Sequence, residues 1–253
     1  MVGENNFNNK VVIVTGSAQG MGKAVSKKFG EYGAKIVIND VNINNLKLTK
    51  NEFVKSGFNV IALAGDVTKS SDVKNIVNQT IDHYGRVDIL VNNAGVLKPT
   101  KVVEIDENEW DFVVGVNLKG TFLFSKAVIP IMQSRNWGRI INFSSSAGKS
   151  ISTVGGAHYT AANAGILGFT RHLAKETAEY GITVNSVCPG LIDTEMVRST
   201  IDDVRIQAYA DSFPINRLGT REEVADLVIF LASENASYIT GASIDINGGD
   251  LMI

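Results

Sequence analysis

Short runs rich in Val and Ile recur along the chain and alternate with longer amphipathic stretches. The runs are "KVVIVTG" (10–16), "AKIVIND" (34–40), "NVIALAGD" (59–66), "VDILVNNAG" (87–95), "GRIINFSS" (138–145), "GITVNSVCPG" (181–190) and "ASIDING" (242–248). Each is nearly continuous in apolar character instead of alternating, the pattern of strands covered on both faces. The stretches 20–32, 43–56, 70–84, 107–134, 157–180 and 220–232 repeat apolar residues at helical spacing. In "TREEVADLVIFLAS" (220–233), Thr220 stands at an N-cap position and Glu223 three residues on completes a capping box. Strict alternation of the two element types predicts an α/β fold of about seven parallel strands with helices on both faces.

The chain has 253 residues, enough for one large α/β domain or two small ones. No Pro/Gly/Ser linker, repeat or low-complexity tract divides it, so residues 1–253 read as one domain. The net charge of −2 offers no electrostatic pull toward nucleic acid or an anionic membrane. No apolar run is expected to reach the roughly 20 residues a bilayer requires. The polar start "MVGENNFNNK" lacks a signal-peptide core, which predicts a cytoplasmic protein. Cys188 is the sole cysteine, and His83, His158 and His172 have no shared metal-ligand spacing, so no metal is expected.

"VTGSAQGMGKA" (14–24) follows the first strand and opens the first helix. Gly16, Gly20 and Gly22 permit a tight turn and close approach of backbone N–H groups to a diphosphate. Asp40 closes the second strand, where a carboxylate accepts hydrogen bonds from an adenosine ribose and repels a 2′-phosphate. Neither Ala18 nor Gln19 supplies positive charge, which favours NAD over NADP, although Lys23 is close in sequence.

With the spacing TGxxxGxG, "NNAG" (92–95), "GDV" (65–67), "CPG" (188–190), "GASIDINGG" (241–249) and a tyrosine 13 residues after Ser146, the sequence resembles the short-chain dehydrogenase/reductase family. The resemblance runs from about Lys10 to the C-terminus and is to the compact single-domain branch with its Rossmann-type doubly wound sheet. In texture it is similar to 3-oxoacyl-carrier-protein reductases and NAD-dependent alcohol and glucose dehydrogenases. It implies that Gly16, Ser17, Gln19, Gly20, Met21 and Gly22 hold the diphosphate and that Asp40 and Val41 meet the adenosine ribose. Asp66 and Val67 would contact adenine, and Asn92, Asn93, Ala94 and Gly95 would form the floor beneath the ribose. Pro189, Gly190, Ile192 and Thr194 would fix the nicotinamide carboxamide. Asn117 would hold a helix kink and a water relay, Ser146 would hydrogen-bond the substrate oxygen, and Tyr159 would exchange the proton. Ser144 and Ser145 are alternatives to Ser146. The reaction implied is hydride transfer between a nicotinamide and a secondary alcohol or ketone.

One position departs from the family motif Tyr-x-x-x-Lys, since the chain has Tyr159-Thr-Ala-Ala-Asn163. Residues i and i+4 share a helix face, so the slot is preserved. The lysine that the resemblance implies would bind the nicotinamide ribose and lower the tyrosine pKa. Asn163 can hydrogen-bond but carries no charge, and a phenol left near 10 is a poor base at neutral pH. Neither Lys149 nor Lys175 has a spacing that substitutes. Three readings follow: a natural variant with a slow or modified relay, a variant inactivated by exchange of lysine for asparagine, or a catalytically lapsed NAD(P)-binding regulator or partner subunit.

Residues 191–219 mix Met196, Val197, Ile201, Val204, Ile206 and Tyr209 with charges, as a lid over an active site does. Leu97, Val154, Met196 and Tyr209 point to an apolar substrate pocket, with a 3-oxoacyl thioester on a carrier protein as the alternative substrate. Arg198 or Arg205 could steer an anionic group. The apolar stretches of 107–134 and 157–180 exceed what one sheet face needs, and the resemblance implies a homodimer or homotetramer through them. Cys188 reads as a small buried residue.

Overall fold

The computed structural model describes residues 6–253, so the first half of the polar N-terminal stretch lies outside the described residues. Among the described residues seven strands form one sheet: β1 (Val11–Thr15), β2 (Lys35–Asp40), β3 (Val60–Ala64), β4 (Ile89–Asn92), β5 (Gly138–Phe143), β6 (Ile182–Pro189) and β7 (Ser243–Ile246). All pairings are parallel, in the order β3-β2-β1-β4-β5-β6-β7. The order reverses between β1 and β4, which opens a crevice at the carboxyl ends of those strands.

Near-continuous apolar strands follow from cover on both faces. Val12 and Val14 of β1 face one cluster, with Val25 and Phe29 of α1 (Gly20–Glu31), Phe53 of α2 (Ile43–Lys55) and Val224 and Val228 of α9 (Arg221–Ala232). Val11 and Ile13 face the other, with Ile76 of α3 (Ser70–Tyr84), Phe124 and Val128 of α5 (Gly120–Gln133) and Leu173 of α6 (Ala157–Thr177). Alternate residues of one strand thus seal two separate cores. The capping box of α9 forms as expected, with Thr220 and Glu223 bonding each other's backbone N–H groups.

The predicted helix 107–134 is α4 (Glu107–Val114), a π turn at Gly115–Lys119, and α5. The π turn inserts one residue into the helical ladder and bends the run, a feature that clusters at functional sites. By length and composition the run Glu107–Gln133 is apolar enough to cross a bilayer, against the sequence expectation of no such run. Here α5 packs on the sheet through buried Phe124, Val128 and Met132. The predicted lid holds α7 (Glu195–Thr200) and α8 (Asp203–Ser212), and its ends meet where Ile192 bridges Gly219.

Candidate active site

The glycine-rich turn is shaped by contacts that leave no room for side chains. Gly16 has φ +61°, and a Cβ there would lie 2.7 Å from the Ala94 Cα. A Cβ on Gly22 would collide with the Gly16 carbonyl and the Asn93 amide. Asn93 Nδ2 donates to the carbonyls of Thr15 and Gly16, both at 2.9 Å, and Thr15 Oγ1 accepts the N–H groups of Asn93 and Ala94. The turn is thereby stitched to the loop after β4. The N-cap of α1, Gln19, makes no side-chain cap, and the first turn holds no acidic residue. First-turn N–H groups therefore face the crevice without a side-chain acceptor, as a diphosphate site requires.

A cavity of about 510 Å³ runs along the carboxyl ends of β1, β2 and β4. Gly16, Gln19, Gly20, Met21, Asp40 and Val41 line one end. Asp66 and Val67, after the edge strand β3, line it too, as do Asn93, Ala94 and Gly95 after β4, and Asn117, Tyr159, Asn163 and Thr194. Asp40 Oδ2 accepts the Ala18 N–H at 3.2 Å, while its Oδ1 accepts the Asn42 N–H at 2.9 Å. Lys23 is drawn away from the cavity by an ion pair with Glu52 at 2.7 Å. Burial opposes ionisation of Asp66, but hydrogen bonds from the Thr68 N–H and hydroxyl overcome it and hold the carboxyl below its usual range.

Three expected contacts fall elsewhere. Ser17 is fully buried, and its hydroxyl donates to the Val14 and Asn39 carbonyls. Gly22 serves close packing behind the turn and does not line the cavity. Asn92 turns into the sheet, where its amide donates to Asn142 Oδ1 and Ser125 Oγ.

A second cavity of about 130 Å³ adjoins the first, and Met21, Ser144, Tyr159, Thr194 and Met196 line both. Pro189, Gly190 and Ile192 line this second chamber, as do the four residues expected at an apolar pocket, Leu97, Val154, Met196 and Tyr209. The lid supplies its outer wall and is latched where the Tyr209 hydroxyl donates to the Thr153 carbonyl at 3.4 Å. Arg198 is engaged by Asp193 at 2.7 and 2.8 Å. Arg205 stays on the lid beside Tyr209.

Tyr159 stands in the wall that the two chambers share. Ser145, not the expected Ser146, is the serine whose hydroxyl acts on the phenol, drawing its pKa down. Ser145 is the first residue past Ser144 at the end of β5, and it caps the short turn Ser146–Gly148 by accepting the Ala147 N–H. Strand register, not the loop count back from Tyr159, decides which serine faces the phenol. Asn117 sits in the π turn, donating to the Val96 and Val113 carbonyls at 2.9 and 2.8 Å. It therefore ties the bent helix to the loop after β4.

Asn163 is buried, and its Nδ2 donates to the Tyr159 backbone carbonyl at 2.9 Å. Burial pushes the Tyr159 phenol above its ordinary pKa, and the contacts with Ser145 and Asn163 only partly offset it. No charged side chain among the described residues perturbs it. Lys149 is paired with Asp245 at 2.7 Å and donates to the Ser243 carbonyl, while Lys175 lies exposed in the last turn of α6. Cys188 is fully buried, and burial raises its thiol to about 11. Among the described residues no group of three or more His, Cys, Asp or Glu is placed to hold a metal.

A doubly wound parallel sheet with a glycine turn at its switch point and a tyrosine-serine pair at its far end defines a nicotinamide-dependent oxidoreductase. The chain belongs to the short-chain dehydrogenase/reductase family, and the family described as enoyl-(acyl carrier protein) reductase matches residues 16–250. A (2S)-[(R)-hydroxy(phenyl)methyl]succinyl-CoA dehydrogenase subunit of Thauera aromatica is 39% identical over 241 residues, covering 95% of this chain and 96% of that one. The 3-oxoacyl-[acyl-carrier-protein] reductase of Escherichia coli is 38% identical, covering 98% of this chain and 100% of its own. The crystal structure of a 3-oxoacyl-[acyl-carrier protein] reductase from Brucella melitensis superposes with a TM-score of 0.92 at 36% identity, covering 99% of this chain and 94% of that chain. A structure of such a reductase from the same organism with bound NAD gives 0.89 at 35% identity over the same shares.

Proposed function

We propose that the chain interconverts a ketone and its secondary alcohol using NAD, with Tyr159 as the proton partner of the substrate oxygen. The bound nicotinamide supplies or accepts the hydride. The carrying observation is that a dinucleotide-sized cavity and a smaller chamber share Tyr159 in their walls, with Ser145 lining the smaller one. Ser145 hydrogen-bonds the substrate oxygen, and Tyr159 donates its proton as that oxygen gains charge. Gly16, Gly20 and the first turn of α1 bind the diphosphate. Pro189, Gly190 and Thr194 border the carboxamide, and Asn117 braces the bent helix beside them. Asp40 with Lys23 diverted to Glu52 supports NAD over NADP.

The chamber supports a compact carbonyl with an apolar flank, contacted by Leu97, Ile151, Val154, Val197 and Phe213. A 3-oxoacyl thioester on a carrier protein is the alternative substrate, in line with the names of two of the relatives. Exposed Phe112 and Phe122 on α4 and α5 support a homo-oligomer formed through those helices. A second reading rests on Asn163: a chain that binds NAD but turns over little, serving as a regulator or partner subunit.

A panel of ketones and secondary alcohols assayed with each cofactor tests the proposal. Turnover with NADH and ketones is expected. Tight NADH binding without turnover on any member favours the second reading, and a calorimetric blank with both reduced dinucleotides contradicts both.

A further inference from the structure

His158 immediately precedes the reactive tyrosine and is wholly inaccessible. Both of its ring nitrogens are committed. Nδ1 lies 2.9 Å from the backbone nitrogen of Tyr159, and Nε2 lies 3.0 Å from Glu109 Oε1. A backbone N–H can only donate, so Nδ1 is the acceptor, and the ring proton resides on Nε2 and is given to Glu109. That defines one neutral tautomer.

The surroundings bring three elements to this ring. Glu109 comes from the first turn of α4, where hydrogen bonds with Thr100 and then His158 hold its carboxyl below the usual range against the effect of burial. The Trp110 ring stacks on the imidazole at 6.4 Å between centroids. Thr100 belongs to the loop after β4, and in that loop the Lys98 carbonyl accepts the Gly156 N–H at 2.7 Å. A Cβ on Gly156 would stand 2.5 Å from the Thr100 carbonyl oxygen and 2.8 Å from His158 Cε1, so the start of α6 is clamped too tightly for any larger residue. The charged groups on this face are Glu109 and Lys98.

Gly156, the N-cap of α6, has no side chain to cap with, and Tyr159 carries one of the first-turn N–H groups. Its only backbone acceptor is the Gly156 carbonyl at 3.1 Å. The imidazole thus performs internally the work of an N-cap.

We propose that His158, oriented by Glu109, is a positioning residue that fixes the first turn of α6 and so aims the Tyr159 hydroxyl at the junction of the two cavities. The inference rests on the reading of Tyr159 as proton partner. It depends on the acceptor at Nδ1, which separates two near-isosteric replacements. In His158→Asn the side-chain oxygen reaches the place of Nδ1, and in His158→Gln the amide reaches that of Nε2 and leaves the Tyr159 N–H with the longer bond to the Gly156 carbonyl alone.

The test combines kinetics on a ketone substrate with residue-resolved hydrogen exchange. His158→Gln is expected to lower kcat by about tenfold or more, since displacements near 1 Å can cost on the order of a hundredfold, with cofactor KM little changed. It also exchanges the Tyr159 amide faster, whereas His158→Asn stays close to wild type in both readouts. Glu109→Ala, which leaves His158 in place, is expected to speed exchange at Tyr159 and lower kcat in the same direction. Equal exchange at Tyr159 in the Asn and Gln variants overturns the clamp. Split exchange with unchanged kcat overturns its role in the reaction. Full turnover by Tyr159→Phe would instead overturn the reading of Tyr159 itself, and the exchange comparison needs no turnover at all.

Discussion

Asn163 Nδ2 donates to the backbone carbonyl of Tyr159, one turn earlier in α6 and 2.9 Å away. One N–H of the amide is thus taken by the helix backbone, and what the amide offers the phenol is uncharged, at the place where the family motif carries a charged amine. Burial is then the dominant influence on the phenol, and it favours the protonated form. A phenol held above its ordinary range stays protonated through neutrality, so its proton is always present for a carbonyl oxygen while its phenolate is scarce. With Tyr159 as the proposed proton partner, carbonyl reduction is expected to run near neutrality and alcohol oxidation to need alkaline pH.

The proposed preference for NAD rests on Asp40, whose carboxylate is oriented by the Ala18 and Asn42 N–H groups at one end of the larger cavity. Hydrogen bonds to a charged group contribute about 1.5–3 kcal/mol, so Asp40→Ala is expected to weaken NADH by about tenfold or more. It should weaken NADPH less, because removing the carboxylate also removes repulsion of a 2′-phosphate. Fluorescence titration with each reduced dinucleotide measures the ratio, and an unchanged ratio contradicts the assignment.

Ser145 and Ser146 are neighbours with different surroundings, one paired with the phenol and one opening the turn Ser146–Gly148. Loss of a donor to a developing oxyanion costs on the order of 100- to 1,000-fold in kcat. Ser145→Ala should fall in that range. Ser146→Ala should stay within about threefold, as an exchange that removes no such donor. Steady-state kinetics on the same substrate separates the two, and the reverse ranking restores Ser146.

Glu195, at the start of α7, places Oε2 3.7 Å from where a Gly20 side chain would begin, while its Oε1 pairs with Arg221 at 2.8 Å. A carboxylate beside the diphosphate turn repels an anionic ligand, and screening by salt weakens that repulsion. Glu195→Gln is therefore expected to tighten NADH severalfold at low ionic strength, with the gain shrinking as salt is added. Calorimetry across a salt series measures it, and a weaker complex would show that Glu195 supports the site instead.

The sheet and its helices were legible because covered parallel strands leave a distinctive apolar signature, and because Thr220 and Glu223 mark a helix start by side-chain chemistry alone. Asp40, Asp66 and the glycine turn were legible for a related reason, since each stands at a strand end whose register is set by its own apolar run. Ser145 was harder to read. The residues from 146 to 156 have no periodicity, so a count back from Tyr159 carries no geometric constraint, whereas the end of β5 does. The work of His158 was invisible because its partner Glu109 is 49 positions away and on another helix. Ser17 and Asn92 illustrate the converse, polar residues inside a motif whose side chains serve the sheet and the turn.

The most direct test of the central claim is the pH dependence of kcat for alcohol oxidation, in the wild-type chain and in Asn163→Lys, at saturating NAD. Oxidation needs the phenolate, so its rate climbs with pH until the Tyr159 pKa is passed, while reduction draws on the protonated form and holds through neutrality. The wild-type oxidation rate should still be climbing at the ordinary phenol value of about 10. Asn163→Lys should level off at lower pH and gain about tenfold at pH 7 for each unit by which the lysine lowers the phenol. A wild-type profile that levels near neutrality, or one that lysine leaves unmoved, would contradict the account.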